Sequence, residues 1–188
     1  MSELPVLAFA EVSEWEAWLA EHHSSAGIWI SFAKVSSGIP SITHDQALEV
    51  ALCFGWIDGQ VKRTDAEHWV QRFTPRRKKS RWSQVNREKA ERLIAEGRMQ
   101  PPGHEQIAAA QADGRWEEAY RPPSRSTVPD DLAAAFELAP RAREFFATLD
   151  SRNRYAVLYR IEQAKRPETR ARRIATFVEM LGRGETLH

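Results

Sequence analysis

The chain lacks everything that would staple it covalently or anchor it in a lipid bilayer. Its 188 residues include one cysteine, Cys53, inside the apolar run ALCFGW. An intramolecular disulfide is therefore excluded, and a buried, inert thiol in a reducing compartment is expected. No run approaches the roughly 20 apolar residues of a membrane span. The start, MSELPVLAF, has no basic region ahead of an apolar stretch, as a secretory signal requires. Both readings predict a cytoplasmic protein without membrane insertion. Metal signatures are missing too: the six histidines are scattered, and no C-x-x-C, H-E-x-x-H or calcium-loop pattern occurs. Without a glycine-rich dinucleotide loop or a Walker loop, no cofactor is expected either.

What the chain does have is a globular composition and an uneven charge. Hydrophobic residues make up 42% and the net charge is only +1, so a core that needs no metal or disulfide is within reach. Residues 1–60 hold eight acids and one base, Lys34, whereas residues 72–98 hold ten bases and three acids, and residues 141–183 eleven and five. Such asymmetry either produces separate acidic and basic surfaces or is neutralised on folding. Seven tryptophans are many for this length, and large aromatics mainly fill cores.

The periodicity predicts an α+β fold: a small N-terminal mixed α/β domain over residues 1–123, then a C-terminal helical bundle domain over residues 128–188. A first helix is expected to be capped by Ser13 with Glu16, its face formed by Trp15, Trp18 and Leu19. IWISFAKV (28–35) reads as a strand, with Trp29 and Phe32 breaking the alternation, which suggests burial on both faces or a bulge. Thr43 with Gln46 forms a capping box for a second helix that stops near Gly55. Residues 68–73 are a second strand candidate, ended by Pro75. Ser83 caps a third helix, with Glu88 and Arg92 as an i, i+4 pair. MQPPGHEQ reads as a linker, and RPPSRSTVP (121–129) as the main boundary. Four helices follow, over 130–138, 140–149, 152–164 and 168–181. The last shows a complete apolar face of Ile174, Phe177, Val178 and Leu181.

Two stretches carry candidate chemistry. RFTPRRKKSRWS (72–83) sets six cations and no acid beside Trp82. Arg72, Arg76, Arg77, Lys78, Lys79 and Arg81 show no core periodicity, so each must be solvated or paired. A positive loop with Trp82 beside it suits phosphate attraction with stacking. Its alternatives are a loop paired with the acidic N-terminal region and a Trp82 that merely staples the next helix. In the second stretch, FGWIDGQVK (54–62), Asp58 lies between two glycines. There an aspartate caps a turn, orients an arginine or acts as a base. An enzyme reading gives proton transfer to Asp58 or His68 and anion fixation to Arg72 and Lys62. Cys53 has no local partner that would activate it. In the last helix, Arg170 stands at the edge of the apolar face, where it reaches across an interface, pairs with the N-terminal acids or joins the ligand-binding set by lining the same cleft as Arg76–Arg81.

The segments ALCFGWIDG (51–59), FTPRRKKSRWSQVNREKAERLIAEGRM (73–99), ADGRW (112–116), VPDDLAAAF (128–136) and AKRPETRARRI (164–174) resemble the YdeI/OmpD-associated family of bacterial proteins. From about Val128 onward the chain resembles that family's helical OmdA domain. The resemblance implies a soluble accessory or stress-related protein, linked by the family name to bacteriocin protection and to an outer-membrane porin. It implies no catalytic set and no cofactor. Residues and resemblance together lead to the expectation of a protein that binds an anionic small molecule or an acidic protein surface through its basic, tryptophan-flanked stretch. Alternatives are a small enzyme acting on a phosphorylated or carboxylated substrate, and nucleic-acid binding.

Overall fold

The computed structural model describes residues 4–188; the first three, where the reading of the N-terminal sequence begins, lie outside it. Contacts divide the chain into two compact units, with the division falling between Tyr120 and Arg121. The N-terminal unit is mixed α/β and the C-terminal unit a bundle of helices, as the α+β pattern requires.

The first unit is built on a four-stranded sheet in the order β1-β2-β4-β3. Strand β1 (Val6–Ala8) runs parallel to β2 (Ile28–Ala33), and α1 (Val12–His22) forms the crossover between them. Strands β3 (Trp56–Arg63) and β4 (His68–Pro75) form an antiparallel hairpin, and β4 also pairs antiparallel with β2. Phe32 does not break the pattern of β2: Ile28, Ile30 and Phe32 are buried in strict alternation, with Trp29, Ser31 and Ala33 half-buried on the other face. The cap of α1 lies two residues earlier than the Ser13 reading. Glu11 is the cap residue, and the Glu14 carboxylate accepts from the Ala10 and Glu11 backbone N–H groups at 2.8 and 3.2 Å. The Thr43–Gln46 box does open α2 (His44–Cys53), with Thr43 Oγ1 accepting from Gln46 N at 3.2 Å.

Four tryptophans sit against this helical side of the sheet or beside it. Trp15 and Trp56 are fully buried and each donates its indole N–H, to Ala47 O at 3.0 Å and to His23 O at 2.7 Å. A buried indole costs little once its one donor is satisfied. Trp18 stacks on Trp15, and Trp69 on Phe32. Helix α3 (Gln84–Ala95) is capped by Ser83, whose hydroxyl accepts from Asn86 N at 3.1 Å. Its Arg92 pairs with Glu96, the carboxylate one turn further on, at 2.8 Å and with Glu49 of α2. MQPPGHEQ is not a linker: α4 (Pro101–Ala112) begins at its first proline. Proline is well tolerated in a first helical turn, where its missing N–H has no partner to lose. Gln100 N donates to Cys53 O, fastening α4 to the end of α2. Gly55 makes this corner. Its φ is +73°, and a Cβ there would lie 2.7 Å from Pro102 O, so both conformation and space require glycine. Burial pushes the Cys53 thiol up to about 11, as an inert core thiol requires.

The second unit contains α5 (Asp130–Glu137), α6 (Pro140–Thr148), α7 (Ser151–Glu162) and α8 (Pro167–Gly182). Its own core includes Leu132, Phe136, Phe146, Val157, Leu158, Ile161, Ile174, Phe177 and Leu181. Arg170 of α8 grips Asp131 of α5 with two bonds, of 2.5 and 2.8 Å, and donates a third, of 3.1 Å, to Ile161 O of α7. One guanidinium thus links three helices, and its fork geometry suits a carboxylate held at two points. No helix among the described residues is long and apolar enough to cross a membrane.

Gly55→Ala is expected to destabilise the first unit by ~2 kcal/mol, the scale of a strained backbone site, measured by urea unfolding. Native Cys53 should resist iodoacetamide at about pH 8 and react once the chain is unfolded, because its thiolate is scarce when buried. The Arg170 bonds hold the Asp131 carboxyl below its usual 3.8. That contribution is present above the unfolded value and is lost as pH falls through the depressed folded one. Asp131→Asn should therefore lower the melting temperature at neutral pH and flatten its fall between about pH 5 and pH 2.

Candidate functional site

The basic stretch starts on a sheet face and ends on a turn. Along β4, Trp69, Gln71 and Phe73 face the helices, so Arg72 and Thr74 face the opposite side. On that side Arg72 stands next to Trp29 in register. The Lys62 ammonium lies 4.3 Å from the Trp29 ring centroid. Arg72 also runs across Gly59 of β3, where an added Cβ would come within 3.4 Å of its Nε. Glycine here leaves room for the guanidinium.

Arg76 follows one residue beyond the strand, and its N–H donates to Gly55 O at 2.9 Å. It departs from the expectation of a solvated loop cation. Only 6% exposed, it stacks 3.6 Å above the Trp82 ring, and Trp82 is itself buried at 2% exposure. Arginine makes this burial feasible because its planar, weakly hydrated head packs well on an indole. The guanidinium donates to Arg81 O at 3.2 Å, while Nε and Nη2 are buried without a partner. Among the described residues no carboxylate forms an ion pair with it. Burial accordingly lowers its pKa to about 10. Arg72 Nε and Trp82 Nε1 are likewise buried and unpartnered.

Arg77, Lys78 and Lys79 are exposed on the turn between. The turn is closed by Ser80 N donating to Arg77 O at 2.8 Å and by Arg77 N donating to Ser80 Oγ at 2.9 Å. Arg115 clamps it from behind, with Nη1 on Ser80 O and Nε on Asp113, both at 2.8 Å. The Arg81 guanidinium lies 5.4 Å from the Tyr120 ring. Neutralisation by the N-terminal acids does occur, but further along the chain. Lys89, Arg92 and Arg98 meet Asp45 and Glu49 of α2. Arg170 belongs to the second unit, where its bonds to Asp131 and Ile161 O engage it.

The other candidates separate. His68 bonds Asp65 at the hairpin end, at 3.2 Å, and Arg72 and Lys62 lie on the face opposite Gln71. Asp58 lies on the helical side instead: its Oδ2 accepts from Gln71 Nε2 at 2.8 Å and contacts His44 Nε2 at 3.2 Å. Asp58, His68 and Arg72 therefore do not converge, and the proton-transfer scheme built on them loses its geometry. Sequence reasoning missed His44 and Gln71. The one available signal for His44 was its place directly after the Thr43 cap, which fixes it at the first turn of α2.

Fold and site define a protein with two units, an α/β unit bearing a buried arginine–tryptophan stack and an exposed basic turn, and a helical unit with its own core. By residues 7–106, just over half its length, the chain belongs to the family described as Domain of unknown function (DUF8412). Residues 125–184 match the family described as Bacteriocin-protection, YdeI or OmpD-Associated (OmdA). The match to that name thus covers the helical part, and a separate family covers most of the α/β part. No curated protein matches the chain, and no solved structure does.

If the Arg76–Trp82 stack serves only to fill space, Arg76→Met should keep or raise the melting temperature, since an unpaired buried cation is costly and methionine matches its length. A loss of more than about 3 kcal/mol, the scale of breaking a buried charge pair, would mean that Arg76 has a counter-charge in solution. Thermal and urea unfolding measure this directly.

Proposed function

We infer that the first unit binds an anionic group through the basic, tryptophan-flanked surface formed by Arg72, Arg76, the turn Arg77–Lys79 and Trp82. The observation carrying this reading is Arg76. A guanidinium that is 6% exposed, without an ion pair and with two unpartnered donors is an expensive thing to fold around. An oxyanion supplies both the missing charge and the missing acceptors, with the fork geometry arginine favours. The three exposed cations of the turn attract such a ligand at a distance. Lys62 and Arg72 beside Trp29 add positive charge on the sheet face away from the helices. Arg170 is not part of this site, because its donors are bonded within the second unit.

The OmdA match supports an accessory role more than a catalytic one, and the scattering of Asp58, His68 and Arg72 supports the same view. Nucleic-acid binding is the second reading, favoured by the half-buried Trp29 with the Lys62 ammonium beside it, since a base stacks readily where an indole is flanked by positive charge.

Pyrophosphate titrated against intrinsic tryptophan fluorescence tests the first reading. Saturable binding at low salt is expected. Arg76→Met should weaken it by about tenfold or more, the worth of one charge-assisted pair. Alanine at Arg77, Lys78 and Lys79 together should reduce both affinity and its salt dependence. A short single-stranded oligonucleotide binding far more tightly than pyrophosphate would move the assignment to nucleic acid. Absence of binding to either at low salt would sink the anion reading.

A further inference from the structure

The helical side of the sheet contains a polar chain that the anion site does not use. His44 Nε2, Asp58 Oδ2 and Gln71 Nε2 are joined by contacts of 3.2 and 2.8 Å, and Gln71 Nε2 also reaches Gly59 O at 3.3 Å. Gln71 is 5% exposed. The surroundings are aromatic: the Phe32, Trp69 and Phe73 rings all lie 6.2–6.4 Å from the His44 ring. A core could fill this space with apolar side chains more cheaply than with three polar ones. The β3–β4 register also slips immediately after Asp58, between Asp58 and Val61. Bulges of this kind re-aim a side chain, and they gather next to functional sites.

His44 forms part of the wall of a cleft of about 400 Å³, lined also by Phe32, Ile39, Ile42 and Trp69. This is within the size range of small-molecule sites. Its rim carries Ile39, 42% exposed, and Val35, fully exposed. These are apolar groups that a bound molecule would cover. The stacked Phe32 and Trp69 rings, 4.6 Å apart, give it a flat aromatic wall. Lys34 is the one cation on the lining, and its ammonium is taken by Asp65 O and Ala66 O, at 3.1 and 2.8 Å.

The polar requirement follows from hydrogen-bond arithmetic. A carboxylate only accepts, so the His44 nitrogen facing Asp58 carries a proton, and in the neutral ring Nδ1 is left with a lone pair. Nδ1 makes no hydrogen bond to the described residues. The matching ligand must donate to it, which a carboxylate, having no proton to give, does not do. We propose that this cleft binds a small planar aromatic molecule carrying one weakly acidic hydroxyl, a phenol in chemical class, stacked against the Phe32–Trp69 pair and hydrogen-bonded to His44 Nδ1. Asp58 and Gln71 are positioning residues that fix the ring and its tautomer.

4-Nitrophenol, titrated at a pH low enough to keep its hydroxyl un-ionised, is the probe and nitrobenzene, the same ring without the hydroxyl, its control. Calorimetric titration of the full chain should show the phenol binding about tenfold more tightly, as one hydrogen bond to a fixed acceptor warrants. His44→Phe keeps a ring in place and removes Nδ1, so it should bring the phenol down to nitrobenzene's affinity and leave nitrobenzene unchanged. Trp69→Ala should weaken both. Nitrogen NMR of the ring adds a readout that a purely structural role would not move. The wild type should show the Nε2–H tautomer, and Asp58→Asn, whose amide can donate to Nε2, should shift it and weaken only the phenol. This second variant also carries the test should His44→Phe fail to fold. Equal affinity for the two probes, binding of neither, or an Asp58→Asn that changes the tautomer but not phenol affinity would each overturn the proposal.

Discussion

The first unit depends on a tight corner at Gly55. There α2 ends, β3 begins, and the chain must turn so sharply that only a residue without a side chain fits under Pro102 O. The same corner receives the N–H of Arg76 on Gly55 O and that of Gln100 on Cys53 O. It therefore fixes four elements at once: the end of α2, the start of β3, the exit from β4 and the entry to α4. Both functional features hang from it. Asp58 stands three residues downstream on β3, and Arg76 is set against the corner by its own backbone bond. A small displacement there would reach both together.

The charges fall into two groups with different physics. Those on α3 and just after it meet the acids of α2 in an exposed network, in which each pair adds little and is screened by salt. Arg170 in the second unit has its partners at short range, across three helices. Arg76 is unlike either, because its neighbour is an indole instead of a carboxylate. Stacking offsets part of the cost of burial but does not use the in-plane donors of a guanidinium. A net charge of only +1 thus hides a cation whose electrostatics the fold leaves incomplete.

How far the sequence discloses this depends on whether a feature repeats along the chain. The helices of the second unit are legible because apolar residues recur at helical spacing, with Pro140 and Pro167 marking two of the starts. The cap of α1 was misplaced because Glu11–Glu14 and Ser13–Glu16 share the same spacing of three. Strand β1 is too short to show a period, and β3 is mostly exposed, so neither offers an alternation to read. MQPPGHEQ passed for a linker because its prolines signal a break and a helix start equally well. At the sites the limit is sharper. His44, Asp58 and Gln71 are 14 and 13 residues apart, and no local pattern relates them; only strand pairing and the bulge bring them together. Arg76 looked solvated because charge predicts exposure, and the indole that buries it lies six residues on.

The chain leaves the basic turn at Trp82 and comes back to it at Tyr120. Tyr120 N bonds Trp82 O, and Gln84 N bonds Tyr120 O, at 3.0 and 2.9 Å, so Ser83 and Tyr120 lie side by side as a short parallel bridge. Everything between, α3 and α4 included, is an excursion whose two ends are tied together. The entropy of closing a loop grows only slowly with its length. Residues gained or lost at an exposed point of that excursion would leave its ends, and the arginine–tryptophan stack beside them, where they are. A change of length there reaches the unpaired charge only through Arg115 and Trp116, which touch the turn and the Trp82 ring.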